Sequence, residues 1–499
     1  MIDHANIPAE ATIAELHAAM RGGRLSAVEL VTRCLAQIER CDQQGPALNA
    51  VVTVNPAAAA RAAELDRAHA ENGSLQGALH GIPIVIKDCL ETTTLPTSFG
   101  SEVFADYMAT EDATVVRRLH DAGAIILAKT TLPDWATSWF AYSSRSGETR
   151  NPYALDRDPG GSSSGTGAAV AAGYAPIGLG TDCGGSIRLP ASFCGLVGVR
   201  STPGLISRHG CNPLVGLQDT IGPMGRTVED TARVFGVLAG YDERDPLTCT
   251  HTIARAPSDY LAGLRPDALL GRRVGVVRNA FGSDEIAESR AVNTVVNGAI
   301  DAMQAGGATV VDVTIPDLGD WLMRTSLYIA KSKHDIDRFL RDRPHAPVHS
   351  IREIVSSGRY HKMLDLLEQI ADGPDDPLST LEYYQAYSAR EEFMRLVVNI
   401  MARGGLSALV YPTAQVAAPL RTQTDSGHWT TLTFPTNTLI GSQTWMPAMT
   451  VPAGLTDEGL PVGLEILALP YDEPTLFAVA YGFERLAGRM TFPGGIPLP

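Results

Sequence analysis

No apolar run in the 499-residue sequence approaches the roughly 20 residues needed to cross a bilayer. The first residues, Met1-Ile2-Asp3-His4, lack the basic and then apolar pattern of a secretory signal. Positive charge is also in deficit, with a formal net charge of −15, so the chain offers no overall basic character to attract phosphate backbones or anionic lipid. These absences predict a cytoplasmic protein with neither nucleic acid nor membrane as a partner. The seven cysteines, at 34, 41, 89, 183, 194, 211 and 249, are odd in number and show neither CxxC nor Cys/His ligand spacing. They read as free thiols, and no bound metal or other cofactor is expected.

What is present suits an ordinary globular protein with many turns: 44% hydrophobic residues, 19% charged, 48 glycines and 32 prolines. The first 75 residues read as helical, with Ser26 and Glu29 forming an S-x-x-E capping box. Ile82-Pro83-Ile84-Val85-Ile86, ended by Lys87-Asp88, then reads as a buried strand. Helix and strand signals alternate from there, with later strands expected at 273–277, 309–313, 407–411, 448–451 and 462–467. This order predicts an α/β fold with a mixed central sheet covered by helices on both faces. A mostly helical stretch at 317–403, broken by Gly373-Pro374-Asp375-Asp376-Pro377, reads as an insertion near the substrate entrance. With no linker or internal repeat, residues 1–499 read as one elaborated domain. The amphipathic N-terminal helices could pack against a second copy.

Chemistry concentrates in two glycine strings. The first, Pro159-Gly160-Gly161-Ser162-Ser163-Ser164-Gly165-Thr166-Gly167, lets backbone approach closely and leaves hydroxyls uncovered. Alone it would also suit a flexible linker, but helix and strand signals follow at once. The second, Gly180-Thr181-Asp182-Cys183-Gly184-Gly185-Ser186-Ile187-Arg188, follows a strand end. Two glycines before a serine permit a tight turn whose N–H groups point one way, as an oxyanion hole requires. That favours Ser186 as the attacking group. A serine needs a base, and none of the twelve histidines falls in either string. Lys87, at the end of an apolar run, can serve if burial lowers its pKa, although a lone strand-end lysine is more often an exposed structural residue.

Together these strings resemble the amidase signature family. The likeness rests on Gly81-Ile82-Pro83 leading to Lys87-Asp88, GGSSSG at 160–165 and GTDCGGSIRLPASFCGLVG at 180–198, and it extends to Gly222-Pro223-Met224 with Arg226 and to 447–463. It implies a signature core over about 75–230 and a Ser-Ser-Lys triad. Ser186 would attack the carbonyl, and Ser162, in a cis peptide, would relay its proton to neutral Lys87. Backbone N–H groups of Cys183, Gly184, Gly185 and Ser186 would hold the oxyanion, with Ser163, Asp182 and Arg188 as supports. The chain departs from the family pattern at Arg200-Ser201-Thr202-Pro203, where Lys-Pro-Thr is common, and at Ser164, where glycine is frequent.

The implied activity is hydrolysis of a small-molecule amide, carboxamide or carbamate, with Trp429, Phe434 and Trp445 as expected substrate contacts. The alternative within the same family is the glutaminase subunit of a tRNA-dependent amidotransferase, which feeds ammonia to partner chains. Other readings fare worse. Gly161-Ser162-Ser163-Ser164-Gly165 fits the nucleophile elbow G-x-S-x-G, yet loop residues precede it where that elbow needs a strand. No G-x-x-x-x-G-K-[ST] supports nucleotide binding. A non-enzymatic binding module would be expected to have lost a triad member, and all three are present.

Overall fold

The computed structural model describes residue 8, residues 10–257 and residues 259–497, so Met1-Ile2-Asp3-His4 lies outside the described residues. Its strands in chain order are β1 (Val51–Val54), β2 (Pro83–Lys87), β3 (Ile125–Thr130), β4 (Tyr142–Ser143), β5 (Gly147–Glu148), β6 (Ile177–Asp182), β7 (Val197–Arg200), β8 (Thr220–Gly225), β9 (Arg273–Val277), β10 (Thr309–Val313), β11 (Ala408–Pro412), β12 (Ala448–Leu455) and β13 (Pro461–Leu467). Eleven of them form one sheet in the order β1-β3-β2-β6-β8-β7-β12-β13-β11-β9-β10, while β4 and β5 pair separately. β2 runs parallel to β3 and β6, and β9 runs parallel to β10 and β11. The remaining pairs are antiparallel, so the sheet is mixed as expected.

Local sequence explains the strand that matters most. Pro83-Ile84-Val85-Ile86-Lys87 is β-branched at three of five positions and buried throughout, as a strand covered on both faces should be. The helix Ser164–Ala171 packs against β2, β3 and β6. It can sit so close because Gly165 carries no Cβ, which would fall 2.3 Å from Ala50 O and 2.4 Å from Thr131 N. The first glycine string is therefore a site of close packing.

The N-terminal helices Ile13–Arg21 and Ala27–Cys41 form, and Ser26 with Glu29 makes the expected capping box. Their apolar faces, including Ile13, Leu16, Leu30, Val31 and Ile38, are buried in the chain's own core. This corrects the expectation of a second copy on those faces, because the chain itself already covers them. The stretch 317–403 contains the helices Leu318–Arg324, Tyr328–Arg341, Ile351–Ser356, Asp365–Ala371 and Leu381–Gly404. Six of the cysteines are buried and Cys249 is exposed, all as free thiols.

Near the C-terminus, Asp472 caps the helix Glu473–Ala487, and Pro474 lies in its first turn. Glu473 is 1% exposed and accepts the Thr202 N–H at 2.7 Å, while its Oε2 has no partner among the described residues. Burial raises this carboxyl to about 7 from 4.5, against the opposing hydrogen bond from Thr202. A folded pKa above the unfolded one gives stability that is full below about pH 4.5 and lost as pH rises through about 7, worth on the order of 3 kcal/mol at most. Glu473→Gln should therefore flatten the pH dependence of thermal stability across that window. A Glu473→Gln stability curve that falls as steeply as the parent's would refute the account.

Candidate active site

β2 delivers Lys87 into the interior with no exposed surface. Its Nζ lies 2.7 Å from Ser162 Oγ and 2.8 Å from Thr181 Oγ1, and no carboxylate pairs with it among the described residues. Burial pushes its pKa below the usual lysine value, because a low-dielectric setting disfavours the ammonium. The adjacent Asp88 is already engaged. It pairs with the buried Lys129 Nζ at 2.8 Å and accepts from Ser98 N and Oγ. An amine whose burial favours the neutral form, set against a hydroxyl, is placed to receive a proton from it.

The two glycine strings are tied to each other through Ser163. Its N–H donates to Ser186 O at 3.1 Å, and its Oγ accepts from Thr181 N at 3.2 Å. The peptide Gly161–Ser162 is cis. Asp158 fixes the entry to this string: Oδ1 accepts from Gly160 N at 2.7 Å, while Oδ2 accepts from Ala141 N at 3.0 Å and from Arg421. Ser162 is fully buried and Ser186 is 4% exposed, and both line one cavity with Thr181 and Cys183.

The carbonyls of the turn are held by surrounding donors. The Cys183 carbonyl accepts from Gln218 Nε2, and the Gly184 carbonyl accepts from Thr438 Oγ1 at 2.6 Å. The Gly185 carbonyl accepts from Leu189 N at 2.8 Å. In a trans peptide the N–H points opposite the preceding carbonyl, so the Gly184 and Ser186 N–H groups face away from these acceptors. Gly185 is different. Its N–H donates to Asp182 Oδ1 at 2.9 Å, which corrects its expected part in an oxyanion hole. The Cys183 thiol is pushed well up by burial, which makes it a poor thiolate donor.

Asp182 organises this turn. Burial raises its carboxyl, yet Arg188 and Arg200 beside it win and hold it well below the usual carboxylate range. Arg188 Nε and Arg200 Nη1 each lie 3.1 Å from Asp182, and Arg188 also pairs with Glu465 and donates to Ser442 Oγ at 2.8 Å. All four charged groups are fully buried.

The cavity holds about 500 Å³. Leu214, Leu217, Ile221 and Phe339 supply apolar wall, and Lys331, Asp335, Arg338 and Arg343 bring both signs of charge to it. Five of these eight, Lys331 to Arg343, come from or just after the helix Tyr328–Arg341. The three aromatics expected to touch substrate are elsewhere. Trp429 lines a second, smaller cavity, Phe434 is buried against Phe140 and Phe193, and Trp445 packs on Tyr387. Each packs against another ring, and aromatic composition alone cannot separate that role from a pocket wall. The sequence reading missed Phe339, Arg338 and Asp158. The amphipathic pattern of 328–341 was the available signal for the first two.

The chain belongs to the Amidase family, whose model matches residues 29–477, and it is accordingly a hydrolase that acts on linear amide C–N bonds. The glutamyl-tRNA(Gln) amidotransferase A-subunit of Deinococcus deserti is 33% identical over 499 aligned residues, covering 98% of this chain and 99% of the relative. That of Anaeromyxobacter sp. strain K is 35% identical over 492, covering 96% of each. Native peptide amidase from Stenotrophomonas maltophilia superposes with a TM-score of 0.86 at 36% identity, covering 97% of this chain and 99% of that one. The corresponding amidotransferase chain from Thermotoga maritima superposes at 0.75 with 25% identity, covering 99% and 98%. The two curated relatives carry the name of the alternative reading. No helix among the described residues is long and apolar enough to cross a membrane.

Asp182→Asn would leave two buried guanidiniums without their shared anion, a loss of about 3 to 5 kcal/mol when a buried pair is broken. The expected result is a clear drop in the denaturation midpoint. An unchanged midpoint would refute the role of this carboxylate as the anchor of the turn.

Proposed function

We propose that this chain releases ammonia from a primary carboxamide through an acyl-enzyme on Ser186, with Ser162 as relay and Lys87 as base. The observation that carries the reading is the wholly buried Lys87 amine 2.7 Å from Ser162 Oγ, with no carboxylate partner among the described residues. Ser186 Oγ attacks the amide carbonyl and gives up its proton through Ser162 to Lys87. The Gly184 and Ser186 N–H groups receive the negative charge that forms on the carbonyl oxygen, a contribution of about 3 to 4 kcal/mol per donor where measured. Lys87 then returns the proton through Ser162 to the nitrogen, which must be protonated to leave. Water cleaves the acyl-enzyme by the same route.

The curated relatives favour the setting of a glutaminase subunit, in which the ammonia passes to a partner enzyme and L-glutamine is the donor. A wall bearing Lys331, Arg338, Asp335 and Asp342 suits a substrate with both an ammonium and a carboxylate. A second reading, a stand-alone hydrolase of peptide amides, is supported by the TM-score of 0.86 with peptide amidase. The apolar stretch Leu214, Leu217 and Phe339 suits it.

Ammonia release by the isolated chain from L-glutamine and from N-acetyl-leucyl-phenylalaninamide separates these settings. Turnover of glutamine at least about tenfold above the peptide amide in kcat/KM, a gap of about 1.4 kcal/mol, is expected for the first. The reverse preference would transfer the assignment to the second.

Ser186→Ala and Lys87→Met should each lower turnover by about 10³ or more while leaving the fold intact. Because burial lowers the Lys87 pKa and the neutral amine is the active form, kcat/KM should rise with pH along a limb centred below the ordinary lysine value of about 10.4. Near-parental turnover in Ser186→Ala would end the proposal.

A further inference from the structure

Arg390 lies on the helix Leu381–Gly404 and is 1% exposed. Burial lowers its pKa to about 10, which still leaves it charged at neutral pH. Nε donates to Thr325 O at 2.7 Å and the guanidinium sits 5.9 Å from the Trp445 ring centroid, but Nη1 has no partner and no carboxylate pairs with it among the described residues. A buried cation without an anion is a cost to the fold. Arg188 and Arg200, equally buried, share Asp182.

The position of this cation relates it to the glycine turn. Its anchor, Thr325, begins the connection to Tyr328, the first residue of the helix Tyr328–Arg341. The Tyr328 hydroxyl presses on Gly184 so closely that a Cβ there would fall 1.9 Å from Oη. Among ionisable groups, the Cys183 thiol and the Tyr328 phenol do most to offset the lowering of the Arg390 pKa by burial. The free N–H groups that face the reacting carbonyl belong to this same turn.

Resting on the proposed Ser186 mechanism, we infer that Arg390 is a positioning residue that backs the Cys183–Ser186 turn with an unpaired positive charge, so that the anion formed during acyl transfer supplies its missing counter-charge. Such a charge acts only when negative charge develops on the substrate oxygen. It should therefore affect kcat and leave ground-state binding alone. Keeping an unpaired buried cation also costs stability, so its removal should not weaken the fold.

The test uses p-nitrophenyl acetate, whose leaving group departs without protonation and so reports charge stabilisation separately from proton return. Arg390→Met is expected to lower kcat about ten- to a hundredfold with KM within about twofold and a melting temperature equal to or above the parent's, and Arg390→Lys should recover most of the rate. Parental kcat in Arg390→Met would overturn the inference. So would equal losses in the Met and Lys variants accompanied by lowered melting temperatures, which would mark a packing role. Ser186→Ala, assayed alongside, tells this failure from failure of the mechanism: if that variant still turns over the ester, the mechanism itself falls.

Discussion

The proposed mechanism depends on burial favouring the uncharged form of the Lys87 amine. Taking a lysine wholly out of water favours its neutral form unless an anion offsets the loss of hydration, and the nearest carboxylate in sequence is Asp88. The fold occupies that carboxylate with a second buried lysine, Lys129, and with two donors from Ser98. Lys87 is then left with the hydroxyls of Ser162 and Thr181. One lysine is thus paired with the carboxylate, which leaves its neighbour, one strand away on β2, without an ion-pair partner among the described residues.

The second requirement is rigidity of the turn opposite that amine, and here the logic of charge is reversed. Asp182 is kept ionised by two guanidiniums, and its oxygens also accept from the Gly185 and Ile187 N–H groups. A carboxylate that accepts from backbone on one side and from arginine on the other fixes peptide planes that glycine alone would leave free. The same bond that orients the turn removes Gly185 from the set of available donors. The Gly184 and Ser186 N–H groups have no acceptor among the described residues, and the carbonyls that precede them accept from Gln218 and Leu189.

Much of this could be read from residues alone where pattern and chemistry coincide. β9 and β10 fall on the expected bounds because each is a short β-branched run between turn residues. β2 and the helix Ser164–Ala171 lie within two residues of expectation. β1, β7 and β8 were not foreseen: Val51–Val54 is short and only partly buried, and Thr220–Gly225 carries two glycines and a proline that read as loop. The placement of Trp429, Phe434 and Trp445 failed for another reason. A ring buried against rings and a ring facing a cavity have the same sequence signature. Asp158 was invisible because its partners, Ala141 and Arg421, are brought to it only by the tertiary fold.

The buried basic side chains around the site differ in whether a carboxylate pairs with them. Lys129 and Arg188 are each matched by carboxylates, and Arg200 shares one of them, at places where the backbone must not move. Lys87 and Arg390 are not matched among the described residues: Lys87 lies against the Ser162 hydroxyl, and Arg390 is anchored on the carbonyl of Thr325, three residues before the Tyr328 whose hydroxyl touches Gly184. A permanent carboxylate beside Lys87 would hold a proton on the amine, and one beside Arg390 would cancel its charge. Among the described residues, an Arg390 charge without a carboxylate fits the proposal that its anion is formed during catalysis, and a Lys87 amine without one fits the proposal that it accepts a proton.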